Sequence, residues 1–339
     1  MQYIVHLFRQ ADLVLCNMFT TSKRLYKQVW FQTNTKTYSA GGNVEIGFSG
    51  FPTNIVDKAT YATEITSVSN DSALVTARFS FASCGNTENG IVIGGYTMTA
   101  SLNNTAEKTA YSTDITSLNP SADLPVQRID IMALGNATNM YSYGGSSTEN
   151  AIDSNEAYTT VYATNVTSAK TSANLPNDRA LGATLNSVFA GMYLGGFTSS
   201  SFVKSSTSYK MPFTTETTST VASLALITAT AQNRGLNADL NKNGYITSDN
   251  GIEDWMKVNY QTDVVSSLAS TQFPVPTAEN RPYQYSGHSN RTTGYTMGGY
   301  SVMDQRLTAA YKMPFATETV SSVPTMNKSV AASLVGGYG

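Results

Sequence analysis

The sequence is poor in the residues on which most enzymes and nucleic-acid-binding proteins depend. Charged residues make up 13% of its 339 positions, and histidine occurs only twice, as His6 and His288 near opposite ends of the chain. The formal net charge is −2, and no basic cluster is visible, so we expect no nucleic-acid partner, because phosphate binding requires a basic face. The shortage of convergent titratable groups predicts no catalytic residues, no bound metal and no cofactor. The protein is therefore expected not to be an enzyme.

Cysteine and long apolar runs are also scarce. A disulfide between Cys16 and Cys84 is left open by the sequence, and two free buried thiols are the expected state. The longest apolar stretch lies near the N-terminus, where His6, Arg9 and Asp12 interrupt it. It therefore fits neither a membrane span nor a signal peptide, and we expect no membrane insertion.

What the sequence has instead is a repeat of about fifty residues. An aromatic-x-Thr segment followed by an acidic residue or Asn begins at Tyr61, Tyr111, Tyr162, Phe213, Tyr260 and Phe315. Double glycines keep the same interval, at Gly41-Gly42, Gly94-Gly95, Gly144-Gly145, Gly195-Gly196 and Gly298-Gly299. A basic residue keeps it too, at Arg24, Arg78, Arg128, Arg179, Arg234, Arg281 and Lys328. A period of this length indicates one small sheet per repeat.

Each unit reads as four strands: strand a after the basic residue, strand b ending in the double glycine, strand c with the aromatic residue, and strand d. This unit resembles the kelch repeat, although the tryptophan of kelch strand d is absent. It resembles more closely the kelch-like repeat proteins of tailed bacteriophages, whose units carry GY-aromatic-GG, a Ser/Thr/Asn loop and aromatic-x-Thr-Glu-Thr. The resemblance covers the chain from about Arg24 onward. It implies an all-β, kelch-like β-propeller.

We expect residues 1–339 to form a single β-propeller domain of about seven four-stranded blades, or six. Units of about fifty residues run from 24 to 339. In the seven-blade arrangement, the last blade is closed by N- and C-terminal strands: strand a from residues 328–334 and outer strands from residues 1–23. Such closure removes exposed sheet edges. If residues 1–23 form an N-terminal arm, the ring has six blades.

The acidic residues of the repeated segment form a periodic set that could be mistaken for catalytic carboxylates. The set is Glu64, Asp114, Glu216, Asp263 and Glu318, with Asn165 in the remaining unit. Because Asn165 replaces a carboxylate, charge is not required there. We interpret these side chains as hydrogen-bonding the backbone of the turn between strands c and d.

Two further patterns in the sequence bear on metal binding. Asp239, Asn241, Asn243 and Gly244 have the spacing of a calcium-binding loop, but Asn250 stands where that loop needs glutamate. We interpret the segment as a hairpin turn between strands a and b. His288 is expected as an exposed residue of the equivalent turn in the sixth blade. The copper site of kelch-like oxidases, with two histidines and two tyrosines, is not matched.

The surface is expected to be neutral and rich in tyrosine, threonine, serine and asparagine. Tyr96, Phe197 and Tyr300 directly follow double glycines, so they are the weak candidates for ligand binding. Aromatic rings among hydroxyl groups suit stacking on sugars.

The resemblance to phage proteins implies a virion structural protein, as a tail-fibre, tail-tip or capsid-decoration component. Such a protein would be present in multiple copies or as a homo-oligomer, contacting other virion proteins and host surface polysaccharide. Assembly in the host cytoplasm and release by lysis require no signal peptide. A secreted, extracellular bacterial adhesin and a kelch-type glycan-active enzyme are the alternatives.

Overall fold

The fold was analysed in a computed structural model of the chain. It describes residues 35–333 and 336–338, except 47–48, 98–100, 149–151, 153, 199–202, 232–234, 238–241, 248–254, 269–272, 275–281, 284–285, 291 and 302–306. Within the described residues the chain is almost entirely strand and turn. Its helical segments are single 3₁₀ turns at Pro120–Ala122, Thr171–Ala173, Ala222–Leu224 and Pro324–Met326. None of the described helices is long and apolar enough to cross a membrane.

The chain forms a β-propeller of six four-stranded antiparallel blades, with strands named a to d from the axis outward. Blade 1 comprises Gly336–Tyr338, Lys36–Ala40, Val56–Thr60 and Ile65–Val68. Blade 2 comprises Ala82–Gly85, Asn89–Ile93, Ala106–Ala110 and Ile115–Leu118. Blade 3 comprises Met132–Gly135, Asn139–Tyr143, Ala157–Val161 and Val166–Ala169. Blade 4 comprises Ala183–Asn186, Ala190–Leu194, Ser208–Pro212 and Ser219–Thr220. Blade 5 comprises Gly235–Asn237, Asn243–Ile246, Met256–Asn259 and Val264–Ser267. Blade 6 comprises Ser286–Ser289, Thr293–Met297, Ala310–Pro314 and Ser321–Ser322.

The ring has six blades, the lower of the two counts expected from the sequence. Blade 1 is closed by the C-terminal strand Gly336–Tyr338, which pairs antiparallel with Lys36–Ala40. Strand a of the closing blade is therefore Gly336–Tyr338 and not residues 328–334, and its outer strands come from residues 36–68. Residues 1–23 lie outside the described part of the chain. Each strand a contacts strand a of both neighbouring blades, so the ring closes.

The exposed edge of strand d is covered by the blade before it. The Thr116 backbone N–H of blade 2 donates to the Asp71 carbonyl at 3.0 Å, and its hydroxyl donates to the Ser72 carbonyl at 2.7 Å. Equivalent threonine hydroxyls in or directly before strand d donate to carbonyls of the preceding blade, from Thr66 to Met326, Thr167 to Ala122 and Thr218 to Ala173. This pairing satisfies edge groups that would otherwise recruit another strand.

The double glycines form a left-handed bend at which the chain leaves the blade. In blade 3, Gly144 has φ of 60° and Gly145 has φ of 89°. The Gly145 N–H donates to the Arg179 carbonyl of the next blade at 2.8 Å. A Cβ on Gly144 would lie 2.1 Å from that same carbonyl oxygen. Glycine is therefore required both by the backbone angle and by the neighbour's backbone.

Arg78, Arg128 and Arg179 each precede strand a by four positions, which corrects the expectation that strand a directly follows the basic residue. Arg78 is fully buried, and its guanidinium donates to the Gly94 and Thr105 carbonyls and to Glu107 at 2.6 Å. Before blade 5 the equivalent place is held by Thr230. The Gly196 N–H donates to the Thr230 carbonyl, as the Gly145 N–H donates to the Arg179 carbonyl in the preceding unit.

The first prediction concerns the double glycine. Gly144→Ala should lower the free energy of unfolding by at least about 2 kcal/mol, because alanine is strained at positive φ and its Cβ overlaps the neighbouring backbone. Urea unfolding measures this change. Ala163→Ser, in an exposed turn of the same blade, is the control and should change stability by less than about 0.5 kcal/mol. Equal, small effects of the two substitutions would contradict this account of the bend.

Candidate binding face

One end of the ring carries short strands that form a collar above the blades. They arise because the segment after a double glycine pairs antiparallel with the segment that enters strand a, with the segment that enters strand c, or with both. The collar pairs are Asn43–Ile46 with Ser49–Pro52 and Ala332–Ser333, Arg78–Phe79 with Tyr96–Thr97, Phe197–Thr198 with Val203–Lys204, and Pro282–Tyr283 with Tyr300–Ser301. All three candidate aromatic residues therefore lie in the collar, at the same position of their units.

The orientation of the Tyr96 ring is set by a neighbouring aromatic ring. It pairs with Phe79 across the two short strands, and the two rings are tilted with centroids 5.3 Å apart. Both side chains are half-buried. The pair therefore has a fixed orientation while leaving aromatic surface open to solvent.

Phe197 contacts both the collar strands and a buried cluster of apolar side chains. It pairs with Lys204 in the collar and bridges to Ala180, and its ring packs against a buried cluster of Ile152, Ala180 and Leu181. Part of the ring remains exposed. Phe197 is thus both an anchor for the collar and a candidate contact residue.

Tyr300 opens the equivalent collar strand of blade 6, opposite Tyr283. The same place is held by Asn43 in blade 1 and Ser146 in blade 3. Aromatic residues thus occupy this position in blades 2, 4 and 6, alternating with polar residues in blades 1 and 3.

Exposed aliphatic side chains on the same end were missed by sequence reasoning. Val75, Val126 and Ile227 are 53%, 41% and 55% exposed, each in the loop from strand d to the next strand a. Each follows, directly or after a proline, the buried leucine of its loop, Leu74, Leu124 or Leu226. The repeated position next to this leucine is the sequence signal from which these exposed residues could have been predicted. The end of the ring that carries the collar strands and these three aliphatic residues is here called the collar face.

The acidic residues of the repeat lie at the opposite end of the blades and join neighbouring blades. Each accepts hydrogen bonds from side chains of the preceding blade, not from its own turn backbone as expected. The pairs are Lys36, Lys58 and Tyr38 to Asp114, Lys108 to Asn165, Lys170 and Tyr141 to Glu216, Lys210 to Asp263, Lys257 and Tyr245 to Glu318, and Lys312 and Tyr295 to Glu64. We call this set the inter-blade ring. These contacts link neighbouring blades, whereas hydrogen bonds within each turn were expected from the sequence.

Turn geometry explains why these residues reach the neighbouring blade. All six have positive φ, between 49° for Glu216 and 58° for Asp114. The aromatic residue that begins each turn stacks on the tyrosine of the preceding blade in four units: Tyr111 on Tyr38, Phe213 on Tyr141, Phe315 on Tyr245 and Tyr61 on Tyr295. The turn is thus fixed by stacking while its next polar side chain accepts the hydrogen bonds.

The electrostatics of Asp114 follow from this geometry. Partial burial alone would raise its pKa, but hydrogen bonds from Lys36, Tyr38 and Lys58 outweigh burial and lower the pKa to about 2. The Lys36 and Lys58 ammonium groups lie 2.5 and 2.9 Å from its carboxylate oxygens. The carboxylate is therefore a stable anion with a structural partner, unlike a general acid or base poised near neutral pH.

The other residues considered as possible metal ligands or reactive groups lie in or beside the strands of the blades, or outside the described residues. His288 is buried in strand a of blade 6 and not exposed in a turn, which corrects the expectation for it. Asp239 and Asn241 lie outside the described residues, whereas Asn243 and Gly244 belong to strand b of blade 5. Within the described part of the chain, no group of three or more His, Cys, Asp or Glu side chains could hold a metal ion. Cys84 is a free thiol.

Comparison with models of known protein families finds no match, and a search of the curated proteins finds none either. The fold, a six-bladed β-propeller, therefore defines the class of this protein, and it is compatible with many functions.

The second prediction concerns the inter-blade ring. Asp114→Asn should lower the free energy of unfolding at pH 7 by about 1–2 kcal/mol, because three donors lose an anionic acceptor. The pKa is depressed in the folded protein, so the stability that it contributes is present above about pH 4 and is lost as the pH falls toward 2. The difference between the wild type and Asp114→Asn should shrink over that range.

Asn165→Asp is the matched control, because it restores a carboxylate opposite Lys108 at the one amide position of the ring. It should stabilise the protein by a few tenths to about 1 kcal/mol at low salt. Thermal unfolding from pH 7 to pH 2 measures both variants. A constant effect of Asp114→Asn across that range would show that the charge of Asp114 is irrelevant.

Proposed function

We propose that this protein is a structural and binding module of a tailed-phage virion, serving as a tail-fibre, tail-tip or capsid-decoration component. In this role the ring is a rigid support, and the collar face contacts host surface polysaccharide or another virion protein. The feature that carries the proposal is the collar, whose strands place Tyr96, Phe197 and Tyr300 at equivalent positions of their units on one end of the ring.

The first support is the division of chemistry between the two ends. Lysine and carboxylate side chains pair between blades in the inter-blade ring. The collar face instead offers aromatic and aliphatic surface beside serine and threonine hydroxyls. Neutral sugars are recognised by aromatic stacking combined with hydrogen bonds to hydroxyl groups, so a glycan suits this chemistry better than a charged ligand does.

The second support is preorganisation. Tyr96 is oriented by Phe79, and Phe197 is seated on Ile152 and Leu181. Aromatic side chains that are already ordered lose little conformational entropy on binding. Such residues are typical anchors of a contact surface.

The third prediction tests binding by the collar face. The triple variant Tyr96→Ala, Phe197→Ala and Tyr300→Ala should bind bacterial surface polysaccharides at least tenfold more weakly, since an aromatic anchor that the ligand covers is worth about 1 kcal/mol or more. A polysaccharide array identifies a ligand, and titration calorimetry then measures the affinity.

The matched control is Phe189→Ala, which removes a 68% exposed phenylalanine from the turn between strands a and b of blade 4, at the opposite end. Its affinity should equal that of the wild type. Equal binding by the triple variant would remove the collar from the proposal. An absence of the protein from purified particles of the source phage, or coding sequences for a secretion system beside its gene, would contradict the virion assignment itself.

A further inference from the structure

Three interfaces between blades share an apolar contact near the axis. A leucine of strand a packs onto a glycine of strand b in the next blade. A Cβ added to that glycine would overlap the leucine at 2.3 Å for Leu134 and Gly191, 2.8 Å for Leu185 and Gly244, and 2.7 Å for Leu236 and Gly294. The leucine fills the space that the glycine leaves, so the two strands are close-packed at each of these contacts.

The interface between blade 6 and blade 1 differs at the same place. His288 holds the leucine position, because it pairs with Tyr295 in strand b as Leu134 pairs with Tyr141. Thr37 holds the second position of strand b, where blade 4 has glycine. The His288 Nδ1 and Thr37 Oγ1 atoms are 2.6 Å apart. A polar contact thus replaces the leucine–glycine contact at the interface that closes the ring.

A second leucine position is also polar at this interface. Lys328 precedes Ala332 by four residues, as Leu74 precedes Arg78, and Ala332 and Arg78 hold equivalent places in the collar. Leu74 is 1% exposed and Lys328 is 3% exposed, so a lysine occupies a core position.

These side chains form one buried hydrogen-bonded network. The His288 Nε2 atom lies 2.8 Å from Ser286 Oγ, which lies 3.0 Å from Ser39 Oγ. Lys328 Nζ donates to Ser39 Oγ at 3.1 Å and pairs with Asp57 Oδ2 at 3.2 Å. The closing network comprises Thr37, Ser39, Asp57, Ser286, His288 and Lys328, none more than 3% exposed.

The network is electrically balanced only while His288 is neutral. Lys328 and Asp57 compensate each other, so a proton on His288 would be an unpaired buried charge. Burial and then the nearby Lys328 ammonium lower the pKa of His288 from its ordinary 6.5 to about 3. The other titratable groups at this interface are Tyr61, which donates to the Ser289 carbonyl, its stacking partner Tyr295, and the outer Glu64–Lys312 pair.

We infer that the closing network is an acid-sensitive latch, so that transient opening of the C-terminal segment away from blade 1 becomes more frequent as the pH falls below about 6. Residues 328–338 carry both Lys328 and the strand that closes blade 1, so breaking the network and detaching that strand are one event.

Acid favours opening because the open state binds a proton more readily than the closed state does. When the network is broken, His288 is hydrated and takes up a proton near its ordinary value of 6.5, whereas in the closed ring it does so only near 3. The free energy of opening is therefore at its maximum above pH 6.5, and it decreases as the pH falls from 6.5 toward 3. The opening equilibrium should rise about tenfold per pH unit in that range.

Hydrogen exchange of the full chain, followed by mass spectrometry at pH 7 and pH 5, tests the latch. After correction for the intrinsic pH dependence of exchange, opening measured in peptides covering residues 328–338 should increase roughly 20- to 30-fold at pH 5. Peptides covering strand a of blade 4, Ala183–Asn186, should not change. An equal change at both places, or none at residues 328–338, would overturn the inference.

The double variant His288→Leu and Thr37→Gly copies the leucine–glycine contact of the other interfaces and is expected to abolish the pH dependence. A wild-type pH dependence in this variant would contradict the role of His288. If the double variant does not fold, the protonation of His288 can be followed instead, as the pH dependence of its imidazole NMR resonance in a His6→Gln variant. The inference requires His288 to remain neutral at pH 5, and titration near 6.5 would overturn it.

Discussion

The fold of this propeller depends on polar contacts that cross from one blade to the next. At each turn between strands c and d, a residue with positive φ presents an oxygen to a lysine of the preceding blade, and in four of the six to a tyrosine as well. Threonines of strand d bond to the preceding blade in the same direction. A single blade would leave these groups unpaired, so each sheet is completed by its neighbour and the ring acts as one unit.

The β-propeller fold could be predicted from the sequence because the patterns that indicate it are local and recur in each repeat. Each double glycine marks a bend that only glycine adopts without strain, and alternation of apolar and polar residues marks the strands. The collar position of Tyr96, Phe197 and Tyr300 was visible for the same reason, since each follows a double glycine directly. The binding role of these three residues remains a prediction.

Other features were hidden because their partners are distant in sequence. Asp114 meets Lys36 and Lys58 only when two blades are adjacent, so its donors could not be identified from its own turn. The position of His288 was predicted wrongly because strand a was expected to follow the basic residue directly, whereas it begins later, at Ser286 in blade 6. The blade count depended on whether the C-terminal strand joins blade 1 or residues 1–23, a choice that the repeat does not determine.

Closure of the ring by Gly336–Tyr338 is the central structural claim, since the blade count, the closing network and the shape of both faces follow from it. Ser39 and Gly337 are directly paired across strands b and a of blade 1. Cysteines at these two positions should form a disulfide under mild oxidation, identified by mass spectrometry as a cross-link between residues 39 and 337. No cross-link at this pair, together with one between residue 337 and a cysteine placed within residues 1–23, would contradict the six-bladed ring.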